Sequence, residues 1–229
     1  MNAEHELFLA VELSTRRGTV ALALGDQILE EALDGGAAHA SDLLPAFDRL
    51  RAKLGLGRRL PDGIAVGLGP GSFTGLRVAA ATALGLARAS GAKLVALPSV
   101  HATLADCDAG QGGAVLVLDA RAGRAYTTIA HGRSTANRGT TAPFDAPRAV
   151  LWADLEAELD TVLRAGTPPQ LFVDEGAARH LAGRFGEHLR AAPTPSAARL
   201  LQLARAQLAE RGPSAASDVR PLYLMDFGA

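Results

Sequence analysis

The chain has 229 residues, of which 48% are hydrophobic, and its net charge at neutral pH is −1. This length allows one large domain or two small ones with a real core, and the charge excludes a general attraction to nucleic acid. With 4% aromatic residues, we expect no base-stacking surface.

The single cysteine, Cys107, allows no internal disulfide bond, which fits a reducing cytoplasm. Residues 1–6 are polar and do not resemble a signal peptide. The apolar run at 76–89 is too short to span a membrane and contains two arginines. We therefore expect a cytoplasmic protein without a membrane partner.

The first half of the chain reads as three strands, a helix, a strand, a second helix and a fifth strand. Apolar and β-branched runs bounded by turn residues predict the strands, and apolar residues at helical spacing predict the helices. This order predicts a mixed sheet covered by helices. The strands are at 7–11, 19–24, 28–33, 64–67 and 94–97, and the helices are at 41–54 and 74–90.

The second half partly repeats this order, which predicts an α/β protein with two related lobes. Its strands are predicted at 114–118, 124–130 and 171–173, and its helices at 155–163, 177–185 and 197–210. We place the N-terminal lobe at residues 1–107 and a reduced second lobe at 108–193, with a loop-like boundary between them. Residues 194–229 form a last helix and tail, which we expect to pack back on the first lobe.

A glycine-rich loop joins the strand at 64–67 to the helix at 74–90. The spacing does not fit a P-loop, because Gly69 and Gly75 are six apart and no Lys-Ser or Lys-Thr pair follows. The dinucleotide fingerprint fails too, because Thr74 stands where its third glycine belongs. Such a loop is either an anion cradle or a tight packing corner that seats the helix, and the corner is favoured. Its glycines are Gly67, Gly69, Gly71 and Gly75.

The helix after this loop is apolar on nearly all sides, so it is covered on more than one side. A stripe of very small side chains lets another helix approach closely. That helix is either the one at 41–54 in this chain or a helix of a partner. The stripe consists of Gly75, Ala79, Ala83 and Ala87.

Five motifs, in order along nearly the whole chain, resemble the TsaB (YeaZ) family of bacterial tRNA threonylcarbamoyladenosine biosynthesis proteins. The glycine loop at 67–77 (GLGPGSFTGLR) is the specific one. Two residues depart from the family pattern, since Glu12 stands where Asp is usual and Arg124 where Glu is usual. The other motifs are AVELST at 10–15, HASDLLP at 39–45, DARAGRAY at 119–126 and PLYL at 221–224.

This resemblance implies the two-lobed ATPase fold of actin, sugar kinases and Hsp70, with mixed sheets. It also implies a non-catalytic subunit that supports the catalytic subunit TsaD, together with the ATPase TsaE, in modifying the adenosine next to the anticodon. The chain is then expected to dimerise when alone and to meet tRNA only through the complex. We expect no cofactor of its own, although ATP or ADP could bind at an interface shared with TsaD.

Two groups of residues are candidates for function. The first would form a cleft that could take a nucleotide: Glu12, Ser14, Thr15, Gly69, Gly71, Ser72, Asp119 and Arg121. For each of them an ordinary surface-turn role stays open. The second would form the partner interface, as the resemblance favours: Gly75, Ala79, Ala83, Ala87, Leu43 and Phe47.

No catalytic or metal-binding residue is predicted. None of the six histidines forms a His-x-x-x-His pair, and no Cys-x-x-Cys pair exists. Ser72 is not followed by an assembled base and orienting acid, as a nucleophile would need. A small ATP-dependent kinase or ATPase of the same fold is the first alternative, and a peptidase-like protein is the second.

Overall fold

The computed structural model describes residues 6–33, 39–131, 144–164 and 166–225. The chain divides into two compact units, a first unit of residues 1–102 and 194–222 and a second of residues 103–193 and 223–229. Part of the polar start (1–5) and the end of the tail (226–229) lie outside the described residues. None of the helices in the described ranges is long and apolar enough to cross a membrane.

The first unit is built on a five-stranded sheet with the order β3-β2-β1-β4-β5. The first three strands are antiparallel neighbours, and β4 and β5 continue the sheet in parallel with β1. The strands are β1 (Leu7–Glu12), β2 (Thr19–Leu24), β3 (Gln27–Ala32), β4 (Gly63–Gly67) and β5 (Lys93–Leu97). The helices are α1 (His39–Lys53), α2 (Phe73–Ser90), α3 (Ser99–Ala105), in which the chain leaves this unit, and, late in the chain, α6 (Ala197–Arg211).

Strand β1 is the middle strand of this sheet, and helices cover both faces of the sheet around it. All six of its residues are buried. Leu7, Leu9 and Val11 lie on one face in the core shared with α1 and α2. Phe8 lies in between, on the other face, where Arg205 of α6 is over its ring. This explains why β1 reads as a continuous apolar run rather than an alternating one.

The second unit has a five-stranded sheet with the order β10-β9-β6-β7-β8. Counted from its own first strand, this is the order 3-2-1-4-5 of the first sheet, so the repeat predicted from sequence is present in the topology. The strands are β6 (Ala114–Arg121), β7 (Arg124–Ala130), β8 (Arg148–Leu151), β9 (Gln170–Val173) and β10 (Leu189–Ala191). The helices are α4 (Trp152–Leu163) and α5 (Glu175–Phe185).

Most predicted elements are present with small shifts of their ends, but three short ones were missed. Helix α3 and the edge strands β8 and β10 were not predicted. Strand β6 also continues through Asp119 to Arg121, with an irregularity in its pairing there, where a turn was expected. The tight turn at the end of this hairpin is therefore shorter than the sequence suggested.

Candidate functional site

The glycine loop between β4 and α2 packs directly against the backbone that follows β1. A Cβ atom added to Gly71 would lie 2.2 Å from the carbonyl oxygen of Ser14, and one added to Gly75 would lie 2.1 Å from that of Leu13. No side chain fits at such distances. The two glycines are therefore needed for a close approach between two backbone segments, which supports the packing-corner interpretation of this loop.

The loop's own hydrogen bonds point in the same direction. The N–H of Ser72 donates to the carbonyl oxygen of Ser14 over 2.7 Å. The N–H of Gly69 donates to the hydroxyl of Ser99 over 3.0 Å, and the N–H of Gly75 donates to the Ser72 hydroxyl over 3.2 Å. These backbone donors, which an anion cradle would aim at its ligand, are satisfied within the protein. The Ser72 hydroxyl is the N-cap of α2.

Glu12, at the end of β1, is enclosed beneath this loop and is only 1% exposed. Its Oε1 accepts a hydrogen bond of 2.7 Å from the N–H of Ser14. Its Oε2 is so close to Gly67 that a Cβ atom added to this glycine would lie only 2.0 Å from it. Burial raises the pKa of Glu12, and hydrogen bonds from Ser14 and Ser99 oppose the rise in part.

The position of Glu12 determines what this end of the sheet can do. Its carboxyl group fills the space between β1 and the glycine loop, and it occupies the backbone N–H of Ser14. The nearby Thr15 hydroxyl is used in the turn as well, with the N–H and the carbonyl oxygen of Arg17. The structure thus brings together six of the proposed cleft residues, and their polar groups mainly hold the turn and the loop to each other. These six are Glu12, Ser14, Thr15, Gly69, Gly71 and Ser72.

The other two proposed cleft residues, Asp119 and Arg121, lie in the second unit at the end of β6. The Asp119 carboxylate accepts a hydrogen bond of 2.8 Å from the N–H of Arg121, which has a φ of 63°. The N–H of Asp119 donates to the carboxylate of Asp174, which also caps α5 through the N–H of Ala177. Asp119 therefore stabilises the hairpin locally. Sequence reasoning missed Asp174, although an Asp just before a helix is a recognisable cap signal.

Helix α2 requires a correction to the proposed interface. Ala79 and Ala83 are 0% exposed in the isolated chain, and both lie in its own core. The reason is that small side chains let α2 approach β4 closely, so the stripe faces the sheet. The sequence-based interface was assigned to residues that are buried inside the first unit and are not available to a partner: Gly75, Ala79, Ala83, Ala87, Leu43 and Phe47.

The opposite side of α2 is exposed, and three of the five side chains along it are small. We call Phe73, Arg77, Ala81, Gly85 and Ala89 the outer face of α2, because all five are exposed. Phe73 is 46% exposed, and the centroid of its ring lies 3.7 Å from the Arg77 guanidinium carbon. Helix α1, which packs beside α2, exposes 48% of Leu44. A second helix could approach this surface closely at Ala81, Gly85 and Ala89, where the side chains are small.

Metal ligation and thiol chemistry receive no support from side-chain placement. Among the described residues no three His, Cys, Asp or Glu side chains are arranged to hold a metal ion. Cys107 is buried, and this burial raises the pKa of its thiol to about 12. The thiol is therefore neutral at physiological pH.

The paired sheets of identical strand order, with a glycine loop leading from β4 to α2, define an actin-like ATPase fold with a smaller second unit. A family model described as TsaD, tRNA N6-adenosine threonylcarbamoyltransferase, matches residues 33–165, more than half of the chain. The chain belongs to this family.

Individual relatives that match this chain include TsaB and YeaZ proteins. The TsaB protein of Haemophilus influenzae, described as a tRNA threonylcarbamoyladenosine biosynthesis protein, is 39% identical over 95 residues. That alignment covers 42% of this chain and only 39% of the relative. The solved structure of YeaZ from Pseudomonas aeruginosa covers 96% of this chain and all of its own, with a TM-score of 0.72 at 24% identity.

A second solved structure has the same fold. It is described as a protein with similarity to the peptidase YeaZ from Pseudomonas aeruginosa, and it superposes with a TM-score of 0.73 at 23% identity, over 96% of this chain and all of its own. At such identities the two structures establish the fold and nothing about activity.

Proposed function

We propose that this protein is a non-catalytic subunit of the machinery that forms threonylcarbamoyladenosine in tRNA. In this role it binds and supports the catalytic subunit TsaD, together with the ATPase TsaE. The biosynthetic role named for the Haemophilus influenzae relative supports the pathway. The observation that carries the non-catalytic role is the closed corner formed by Glu12 and the glycine loop.

The closed corner supports this role for two reasons. A phosphate at the end of β1 would have to displace a buried carboxyl group and compete for the backbone N–H of Ser14. The corner also fixes α2 rigidly on the sheet, since Gly71 and Gly75 bring the two backbones into contact. An ATPase fold closed in this way is better suited to presenting a helix surface than to turning over a nucleotide.

The surface presented is the outer face of α2, together with the exposed Leu44 of α1. Small side chains allow close helix approach, and exposed large apolar groups such as Phe73 favour association. We propose that a second copy of this chain covers this surface when the protein is alone, and that TsaD covers it in the complex. The protein needs no cofactor of its own in this scheme, and ATP or ADP binds only at a surface shared with TsaD.

The remaining parts of the proposal concern tRNA and location. With a net charge of −1, the chain has little electrostatic attraction for a polyanion. It therefore contacts tRNA only as part of the complex, and it works in the cytoplasm, where the tRNA substrate is.

Reconstitution with purified components tests this function. Unmodified tRNA, threonylcarbamoyl donor, TsaD and TsaE are incubated with and without this protein, and modified adenosine is quantified by mass spectrometry. We expect modification only when the protein is present, and none when it replaces TsaD. Equal modification without the protein would overturn the proposal, and so would modification by the protein alone.

The same preparation separates the alternatives. The protein alone is assayed for ATP hydrolysis and for peptide cleavage, each with a Ser72→Ala variant as a control. The supporting role predicts neither activity. Nucleotide turnover by the isolated protein would favour the small ATPase, and cleavage abolished by Ser72→Ala would favour the peptidase.

A further inference from the structure

A cleft in the first unit lies away from the glycine loop, at the opposite ends of the parallel strands. It has a volume of about 560 Å³ and lies between the C-terminal half of α6 and the sheet. Glu6, just before β1, Asp26 in the β2–β3 turn and Lys93 at the start of β5 line it, together with Arg205 and Leu208 of α6. The first three of these residues all lie in turns or at strand termini at the same end of the sheet.

The charges around this cleft are balanced, and among the described residues that line it only Glu6 and Lys93 form an ion pair with each other. Arg205 is half-buried, and it has neither an ion pair nor a hydrogen bond within the described part of the chain; its guanidinium lies 6.0 Å from the Phe8 ring centroid. Asp26 likewise has no charged partner among the described residues. A guanidinium without a protein acceptor is free to form charge-assisted hydrogen bonds with an anionic group from outside.

Glu6 supplies a negative charge, which could bind a cationic group in the same cleft. Its Oε1 is buried and accepts no hydrogen bond from any described residue. The nearest cation is the ammonium of Lys93 at 3.6 Å, beyond hydrogen-bond distance. The Glu6 side chain as a whole is 23% exposed, so its carboxylate attracts a cationic group that enters the cleft, and Asp26 adds a second negative charge nearby.

From these features we propose that the cleft binds a small zwitterion, of the chemical class of an α-amino acid. The carboxylate of the ligand pairs with Arg205, with Lys93 as a secondary cation. Its ammonium group pairs with Glu6 and Asp26, and its side chain lies against Leu208. Two cations and two anions in the wall match a ligand that is neutral overall but carries both signs. This proposal is independent of the protein's part in tRNA modification.

Titration of the purified full-length protein tests the proposal. Glycine and L-threonine are titrated at constant ionic strength and followed by calorimetry and by chemical-shift changes. Acetate and ethylammonium, each with only one of the two charges, serve as matched probes. We expect saturable binding of both amino acids at dissociation constants of about 1 mM. Acetate and ethylammonium should bind about tenfold more weakly or worse, because each leaves one pair of wall charges unmet.

Variants locate the site. Arg205→Gln should weaken amino-acid binding about tenfold or more, whereas Arg211→Gln, on the exposed last turn of the same helix, should leave it unchanged. Asp26→Asn, on an exposed turn, provides a second test that does not depend on α6, and it should reduce the preference for glycine over acetate. The proposal is overturned if amino acids fail to saturate at about 50 mM. It is also overturned if acetate binds as tightly as glycine, or if Asp26→Asn and a folded Arg205→Gln both bind normally.

Discussion

Glu12 shows how one residue can change the use of a whole fold. Its carboxyl group is buried, one oxygen is bonded to the N–H of Ser14, and the other has no hydrogen-bond partner among the described residues. A shorter acid at this position would leave a gap beneath Gly67, whereas Glu12 fills it. Desolvation disfavours the charged form, so the pKa of Glu12 is raised.

The sign of this pKa shift gives a prediction for Glu12→Gln. Because the pKa of Glu12 is higher in the folded protein than in the unfolded chain, its contribution to stability is greatest below the unfolded value. It is lost as the pH rises through the folded value. Glutamine keeps the acceptor for Ser14 and removes the buried charge. We expect Glu12→Gln to raise the free energy of unfolding at neutral pH by about 1–3 kcal/mol, and by less as the pH falls.

Urea unfolding across the acid-to-neutral range measures this effect. Glu210→Gln, which changes an exposed carboxyl on α6, is the control and should shift stability only slightly at any pH. A Glu12→Gln variant that is less stable than the parent at neutral pH would show that the carboxylate is charged and well paired in the folded state.

At the scale of elements, two glycines of α2 occupy opposite environments. Gly75 faces the backbone at Leu13, with no room for a Cβ, whereas a Cβ added to Gly85 would meet no atom within 4 Å. We expect Gly75→Ala to lower the free energy of unfolding by about 1–3 kcal/mol through overpacking. Gly85→Ala should raise it by about 0.5–1 kcal/mol, because alanine favours the helix.

Each of these two substitutions serves as the control for the other, because both add one methyl group to the same helix. Chemical denaturation at low protein concentration, with sedimentation to confirm the same oligomeric state, provides the comparison. Equal effects of the two substitutions, or a stable Gly75→Ala protein, would contradict the packing-corner interpretation of the glycine loop.

The elements that sequence predicted best are those with a strong local signal. The predicted bounds of β2 and β7 coincide with the observed ones, because each is a short run that is rich in apolar or β-branched residues and is bounded by turn residues. The missed strands β8 and β10 are short edge strands, and their exposed residues do not alternate with buried ones. Such strands are determined by pairing with a neighbour rather than by their own pattern.

The candidate site was only partly predictable for a similar reason. The sequence indicated that the loop glycines allow a close approach, but not that the approaching groups are the carbonyl oxygens of Leu13 and Ser14, which are far away along the chain. The small stripe on α2 was recognised, but its direction was not. A helix that is apolar nearly all round does not reveal which side faces its own sheet.

At the scale of the whole molecule, the direction of α2 decides where a partner can bind. Ala83 is in the core, so Ala83→Glu should collapse the fold and would say nothing about association. Ala81 lies on the outer face and is exposed, so a glutamate there is tolerated in the isolated chain. The two positions differ by two residues along one helix but lie on different sides of it.

The proposed interface therefore predicts a specific loss of association in Ala81→Glu. If a partner helix packs on the outer face, the new carboxylate is buried without a counter-charge. Self-association measured by sedimentation and capture by TsaD should then both weaken at least about tenfold, which corresponds to about 1.4 kcal/mol, while the thermal melt of the variant stays near that of the parent. Ala153→Glu, at an exposed alanine of α4 in the second unit, is the matched control and should change neither association. Unchanged self-association and unchanged TsaD capture in a folded Ala81→Glu protein would rule out the outer face of α2, and the exposed Leu44 side of α1 would be the next surface to test.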